Sequence, residues 1–155
     1  MREIERKFLI SDDSFTAQAT SSNRIAQGYI CSRKVTARVR IYGKSAFITF
    51  KGKSKDGGVS RFEFEREIPV RCAELLLARC SGRVEKVRYI VPYQGYTWEV
   101  DIFEGENEGL ALAEVELSKT EEQPPLPSWI WKEVTEDFHY RNSYLAKRPY
   151  KTWLE

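Results

Sequence analysis

The sequence predicts an α+β fold that is mainly β: an eight-stranded antiparallel closed β-barrel with a few flanking helices. Segments rich in Val, Ile, Tyr, Phe and Trp recur along the chain and are separated by short turn-forming stretches. Nearly every segment alternates charged with apolar residues, as a strand with one charged and one apolar face does. Many amphipathic strands with few helices favour a barrel or a strongly curved sheet.

The predicted strands come in close succession. They cover residues 2–10, 25–31, 35–42, 45–52, 59–69, 84–92, 96–104 and 112–118. Residues 53–58 (KSKDGG) predict a hairpin turn, because glycine adopts a positive φ without strain.

Two helical stretches are predicted beside the sheet. Residues 71–81 are apolar on one side and are followed by Gly82, which is typical of a helix with a glycine just past its end. Residues 129–147 are predicted to contain a second helical stretch before Pro149. The proline-rich residues 119–128 predict a connection outside the sheet, since proline cannot donate to a ladder.

The composition predicts one folded domain over residues 1–155, because 155 residues can bury one sizeable core. A hydrophobic share of 41% excludes simple disorder. The formal net charge is only +2, so no nucleic-acid partner is expected.

The cysteines and the absence of long apolar runs indicate a cytoplasmic protein. Cys31, Cys72 and Cys80 form no CxxC motif, and His139 is the one histidine of the sequence, so free thiols are expected rather than a zinc site. No apolar run approaches the about 20 residues of a membrane span, and the charged N-terminus is not typical of a signal peptide. No membrane partner is expected.

Charges on one face of the predicted strands are sorted by sign. Side chains at i and i+2 share a face, so the acids pair as Glu3 and Glu5, Glu63 and Glu65, Glu99 and Asp101, and Glu114 and Glu116. The bases on the same faces are Lys7, Arg38, Arg40, Lys51, Lys86 and Arg88. A half-solvated sheet explains any one pair. The sorted set favours a charged face turned inward, because a solvated face usually mixes both signs.

Enclosed like charges need partners, because they repel one another strongly. A divalent cation would relieve the carboxylates, and a polyphosphate would relieve the bases. Carboxylate oxygens suit Mg²⁺ or Mn²⁺. Arginine makes bidentate phosphate contacts, and lysine acts as a mobile point charge. The pattern therefore predicts a site for phosphates and a metal, Mg²⁺ or Mn²⁺.

The opening Glu3-Ile4-Glu5-Arg6-Lys7 resembles the ExExK signature of the CYTH superfamily, the triphosphate tunnel metalloenzymes. The resemblance runs over about residues 1–118, with looser matches at 132–135 and 140–142. Its further motifs are Arg38-x-Arg40, Lys51, Glu63-x-Glu65, Lys86-x-Arg88, Asp101 and Glu114-x-Glu116. It implies an eight-stranded antiparallel tunnel that binds the triphosphate of a small-molecule substrate together with a divalent metal.

The resemblance also implies roles for single residues. Phosphate oxygens would be bound by Lys7, Arg38, Arg40, Lys51, Lys86 and Arg88. Metal would be bound by Glu3, Glu5, Glu114 and Glu116, with Glu63, Glu65 and Asp101 close by. Gln27-Gly28-Tyr29 resembles a sequence of small bacterial-type members, in which the tyrosine is thought to pair with a lysine. That pair would be Tyr29 and Lys86, the candidate catalytic residues; the alternative for Tyr29 is a core aromatic.

The expected function is hydrolysis of inorganic tripolyphosphate to pyrophosphate and phosphate. A nucleoside or thiamine triphosphatase and a class IV adenylate cyclase are alternatives, although 155 residues leave little chain for a base or thiazolium pocket. A non-catalytic polyphosphate-binding module would keep the bases but would not need every carboxylate pair. The physiological substrate, the metal, the group that activates water, and the choice between a monomer and a homodimer stay open.

Overall fold

Nine antiparallel strands form one sheet in the computed structural model, which describes residues 4–31, 35–52 and 63–153. The strands are β1 (Ile4–Ile10), β2 (Ser21–Cys31), β3 (Val35–Tyr42), β4 (Ser45–Gly52), β5 (Glu63–Ile68), β6 (Arg83–Tyr93), β7 (Tyr96–Glu104), β8 (Ala111–Leu117) and β9 (Ile130–Glu133). The sheet order is β5-β4-β3-β2-β6-β7-β8-β1-β9. All eight predicted strands are confirmed: three have the predicted bounds, and the other five differ at one end or both. The predicted turn at 53–58 and residues 59–62 lie outside the described residues.

The helices are short. The α-helices are α1 (Val70–Leu77) and α2 (Asn142–Lys147), and the 3-10 helices are Ser14–Ala17, Gly105–Asn107, Phe138–Tyr140 and Tyr150–Thr152. The predicted helix over 71–81 is confirmed but ends earlier. Over the described ranges, no helix has the length and apolarity that crossing a membrane requires.

The prediction of a closed eight-stranded barrel is wrong. Across the described residues the sheet has nine strands, and β5 and β9 are its edges. β9 pairs with the edge of β1 that closure would need: Phe8 lies opposite Glu133, and Ile10 lies opposite Ile130. The other edge of β1 pairs with β8, so β1 has no edge left for β5.

The predicted second helical stretch within 129–147 is confirmed as α2, but the start of that range forms β9. Ile130–Glu133 is extended, and only Asn142–Lys147 is α-helical. The tryptophans around Ile130 are typical of a strand, but four residues are too few for a clear alternation.

The apolar face of the sheet, opposite the concave charged face, is covered by other parts of the chain. Phe8 and Trp98 pack on this face beneath Phe15 and Trp129, and the Trp98 and Trp129 rings lie 5.9 Å apart. Aromatic pairs at this spacing stabilise beyond their buried area. This cluster holds β1 and β6–β8 with their charged face turned the other way.

Helix α1 covers the apolar face of β2–β4. Ala73 and Leu77 pack against Val39. The end of α1 approaches β2 closely at Gly28, where an added Cβ would lie 2.8 Å from Sγ of Cys80. Glycine at this position therefore lets the helix lie directly on the strand.

The C-terminal segment fills one end of the concave face. Val84, Phe103 and Leu112 point to the same side as the charged residues of their strands, because they share their parity. They are buried together with Leu145 of α2, and the partly buried Trp153 packs against them. The concave face is thus apolar at one end and charged over the rest.

Candidate active site

The charged face of the sheet lines one cavity of about 690 Å³, to which all of β1–β8 contribute a side chain. The predicted bases that line it are Lys7, Arg38, Arg40, Lys51 and Arg88. The predicted carboxylates that line it are Glu5, Glu63, Glu65 and Glu114, and Tyr29 lies in the same wall. The side chains of Lys86 and Asp101 are buried outside this lining, Glu116 is exposed, and Glu3 lies outside the described residues.

The arginines of β3 form a crowded basic wall. Arg38 Nη2 donates to Thr49 Oγ1 over 3.4 Å, and the buried Nε of Arg38 has no hydrogen-bond partner among the described residues. Burial, together with the nearby charges of Arg38 and Arg88, lowers the pKa of Arg40 to about 10. A buried donor without an acceptor is costly, so this wall is suited to an anion.

A buried carboxylate holds two of the bases that were predicted to bind phosphate. Asp101 Oδ2 lies 2.6 Å from Lys86 Nζ, and Asp101 Oδ1 accepts from Arg88 Nε over 2.8 Å. Burial alone would raise the pKa of Asp101, but Lys86 and Arg88 outweigh it and hold this pKa far below its usual range. Burial lowers the pKa of Lys86 to about 8, although Asp101 opposes that shift. Arg88 also reaches Glu99 Oε2 at 2.7 Å through Nη1.

Tyr29 and Lys86 are not joined by a hydrogen bond within the described part of the chain. The Tyr29 hydroxyl accepts from Gln27 Nε2 over 2.6 Å. Lys86 Nζ donates to Asn142 Oδ1 over 3.0 Å and pairs with Asp101. The structure places Tyr29 in the cavity wall and buries Lys86 completely.

Carboxylates gather where β1 pairs with β8. Glu5 lies opposite Glu116, and Lys7 lies opposite Glu114. The carboxyl groups of Glu5 and Glu114 are within hydrogen-bond contact, and Lys7 Nζ lies 3.6 Å from Glu114 Oε1. Burial raises the pKa of Glu114, but the contacts to Glu5 and Lys7 outweigh it and lower this pKa to about 2. Two carboxyl groups in contact need a proton or a cation between them.

The donor set fits a hard divalent cation that takes further ligands from a substrate. Among the residues described, no three His, Cys, Asp or Glu side chains stand close enough to hold a metal ion alone. Mg²⁺ typically binds one or two carboxylates and completes its shell with water and phosphate oxygens. Glu5 and Glu114 supply such a pair. A second acidic group, Glu63 and Glu65, lies on β5, where Glu63 approaches Lys51 to 3.9 Å.

A family model of the CYTH domain matches residues 1–150. The chain belongs to the CYTH domain family. It is 45% identical over 157 residues to an inorganic triphosphatase of Acetivibrio thermocellus, and the match covers 99% of each chain. It is 39% identical over 153 residues to an inorganic triphosphatase of Nitrosomonas europaea, covering 94% of this chain and 97% of the other. A crystal structure of an inorganic triphosphatase aligns over 93% of both chains, with a TM-score of 0.69 and 33% identity.

The C-terminal segment supplies a wall of the CYTH cavity that the sequence analysis gave no role. Its lining residues are Phe138, Arg141, Asn142, Ser143, Tyr144 and Lys147. Two of the predicted bases are held by this segment: Lys86 by Asn142, and Lys7 by the carbonyl oxygen of Tyr140 over 3.1 Å. The looser family match at 140–142 was the signal that could have found it. Gln27 and Glu99 were also given no role.

Proposed function

We propose that this CYTH domain, spanning the whole chain, hydrolyses inorganic tripolyphosphate to pyrophosphate and phosphate with a divalent metal ion, Mg²⁺ or Mn²⁺. The observation that carries the proposal is the convergence of five bases from four strands on one cavity. One phosphate carries too few oxygens to engage bases so widely placed, whereas a chain of three phosphates can reach them together. The two curated relatives, named inorganic triphosphatases, support the same assignment.

In the proposed reaction, water adds to a terminal phosphorus atom and the bridging P–O bond breaks. Pyrophosphate leaves, and one proton of the water is released. Little covalent chemistry is asked of the protein, so catalysis consists mainly of positioning and charge stabilisation. Arg38, Arg40 and Arg88 would stabilise the charge on the transferred group and the leaving oxygen. Lys7 and Lys51 would bind the outer phosphates.

The carboxylates would hold the metal ion between the sheet and the phosphates. Glu5 and Glu114 are the primary candidates because they are in contact. Glu116 and Glu3 would assist, and Glu63 and Glu65 offer carboxylates on β5. When bound, Mg²⁺ or Mn²⁺ would neutralise phosphate charge and make water a better nucleophile. Asp101 would act differently, since both of its oxygens already hold Lys86 and Arg88.

A nucleoside triphosphate is a second candidate substrate, favoured by one observation. Phe138 lines the cavity and is 51% exposed, and its ring stacks on His139 with 4.1 Å between centroids. An exposed aromatic ring at a cavity wall can stack on the nucleobase of a nucleotide, whichever nucleobase it is. We expect this contact to add affinity without making nucleotides the preferred substrate.

A substrate panel tests the proposal. Phosphate release from tripolyphosphate, ATP and thiamine triphosphate is measured with Mg²⁺ and with Mn²⁺. The proposal predicts the highest kcat/KM for tripolyphosphate, and a loss of ATP turnover but not of tripolyphosphate turnover in Phe138→Ala. A preference for ATP or thiamine triphosphate would overturn the substrate assignment. Absence of phosphate release from every substrate would overturn the enzymatic function.

A further inference from the structure

Gln27 is a fully buried polar residue that joins two members of the cavity wall. Its side-chain oxygen accepts from Arg40 Nε over 2.9 Å, and its side-chain nitrogen donates to the Tyr29 hydroxyl over 2.6 Å. Gln27 lies opposite Arg40 in the pairing of β2 with β3, and it shares a face with Tyr29 two residues on. The strand geometry alone thus places the three side chains in a row.

The direction of each hydrogen bond in this row follows from chemistry. Arginine carries only donors, so the Gln27 atom that faces Arg40 must be the amide oxygen. The amide nitrogen then faces Tyr29, and this nitrogen can only donate. The Tyr29 oxygen therefore accepts, and its single hydrogen must point away from Gln27.

No group in the described part of the protein accepts a hydrogen bond from the Tyr29 hydroxyl. Arg38 lies opposite Tyr29 and Arg40 lies nearby, but neither guanidinium can accept a hydrogen bond. The carboxylate of Glu114 also acts on Tyr29 through its charge, but it makes no hydrogen bond with the Tyr29 hydroxyl. Tyr29 lines the cavity, so the acceptor has to come from the cavity itself. In a cavity built for phosphates, that acceptor is a phosphate oxygen.

We propose that Gln27 is a positioning residue that makes Tyr29 a hydrogen-bond donor to a phosphate oxygen of the bound substrate, so that Tyr29 does not act as a proton acceptor. The inference rests on the proposed function and changes the role of Tyr29 within it. Tyr29 is catalytic through its contact with the substrate, and Gln27 acts through Tyr29.

The ionisation of Tyr29 agrees with this role. Burial raises the pKa of Tyr29 above its ordinary value, although the charges of Arg38 and Arg40 oppose the shift. The phenol therefore keeps its hydrogen at neutral pH and can donate it. A hydrogen bond from a neutral donor to a charged phosphate oxygen is among the stronger kinds.

The substitution Gln27→Glu reverses the direction of the hydrogen bond between residue 27 and Tyr29, while the shape of the side chain stays nearly the same. A glutamate oxygen still accepts from Arg40, but the carboxylate cannot donate to Tyr29. The Tyr29 hydrogen then turns toward residue 27 and away from the substrate. Tyr29→Phe removes the same hydrogen outright. We expect each variant to lower kcat/KM for tripolyphosphate by roughly 10- to 100-fold, the range for one hydrogen bond to a charged group.

A double-mutant cycle and a second substitution test whether Gln27 acts through Tyr29 or through Arg40. The proposal predicts that Tyr29→Phe causes almost no further loss in the Gln27→Glu background. It also predicts that Gln27→Met, which leaves the Tyr29 hydroxyl free to rotate, loses less activity than Gln27→Glu. If Gln27 instead acts by holding Arg40, the order is reversed, because only Gln27→Met breaks that contact.

The outcomes separate this inference from the proposed function. Losses that multiply in the double variant, a larger loss in Gln27→Met than in Gln27→Glu, or a parental rate in Tyr29→Phe would each overturn the inference while the parent still cleaves tripolyphosphate. A parent that does not cleave tripolyphosphate would overturn the proposed function. Thermal melts of all variants show whether they fold. If Gln27→Glu does not fold, Gln27→Met still tests the inference.

Discussion

The ammonium nitrogen of Lys86 lies 2.6 Å from Oδ2 of Asp101, and both side chains are shielded from solvent. The carboxylate also binds Arg88, so one buried anion holds two adjacent cations of β6. The arrangement fixes the positions of these cations before any substrate enters. It also means that Asp101 stabilises the fold in addition to organising the site.

The first prediction concerns the loss of this anion. Asp101→Asn would leave two buried cations without their partner, which destabilises by about 3–5 kcal/mol. Asp137→Asn is the matched control, because Asp137 is half exposed and its partner among the described residues is His139. Chemical denaturation measures the free energy of unfolding of both variants. Equal stability of the two variants would contradict the buried network.

The same network predicts a loss of stability in acid. The folded-state pKa of Asp101 is depressed below its ordinary value of 3.8, so its contribution is present above pH 3.8 and is lost as the pH falls below that value. The loss should be measurable by denaturation in EDTA, so that no metal contributes. In Asp101→Asn the free energy of unfolding should fall less steeply over the same window; an unchanged slope would mean that Asp101 is not responsible.

The third prediction concerns the metal. Excess EDTA should abolish turnover, and Mg²⁺ or Mn²⁺ should restore it. Glu5→Gln should also abolish turnover but should keep or raise the melting temperature of the metal-free protein, because the new amide can still donate to Glu114 and carries no negative charge. Glu106→Gln, on the surface, serves as the control. A large loss of metal-free stability in Glu5→Gln would show instead that Glu5 is a structural partner.

Gly28 supplies a test of the packing behind the site. Gly28→Ala would place a Cβ 2.8 Å from Cys80 Sγ and 3.1 Å from Leu77 Cδ2. We expect a loss of about 1–3 kcal/mol in the free energy of unfolding, as for other overpacked sites. Cys80→Ala should recover part of that loss in the double variant, since it removes the sulfur. Additive losses would mean that the contact with the Cys80 sulfur does not cause the loss in Gly28→Ala.

The charged lining was predictable from the sequence because the side-chain period of a strand is set by backbone geometry. Arg38 and Arg40 must share a face of β3 wherever that strand lies in the sheet. The apolar residues at the alternate positions determine which face of the strand packs against the core. The edge of the sheet was not predictable, because β9 has four residues and its pairing with β1 joins segments more than 100 positions apart.

The contacts within the site depend on long-range packing that no local pattern records. Asn142 reaches Lys86 across 56 residues, and the sequence shows only that both are polar. The role of Gln27 depends on which way its amide faces, which the position of Arg40 decides. Residue types and strand parity thus identified the candidate residues, while their hydrogen-bond partners required the fold.

The measurement that tests the central claim most directly follows tripolyphosphate by phosphorus NMR with Mg²⁺ or Mn²⁺, using the parent and two arginine variants. Arg38 lines the cavity, whereas Arg24 is 69% exposed and is paired with Glu104 elsewhere. The account predicts that the parent and Arg24→Ala convert tripolyphosphate into equal amounts of pyrophosphate and phosphate, and that Arg38→Ala loses at least about 100-fold in kcat/KM, as expected for a charge contact worth about 3 kcal/mol. Parental turnover in Arg38→Ala would place the reaction outside this cavity and contradict the account.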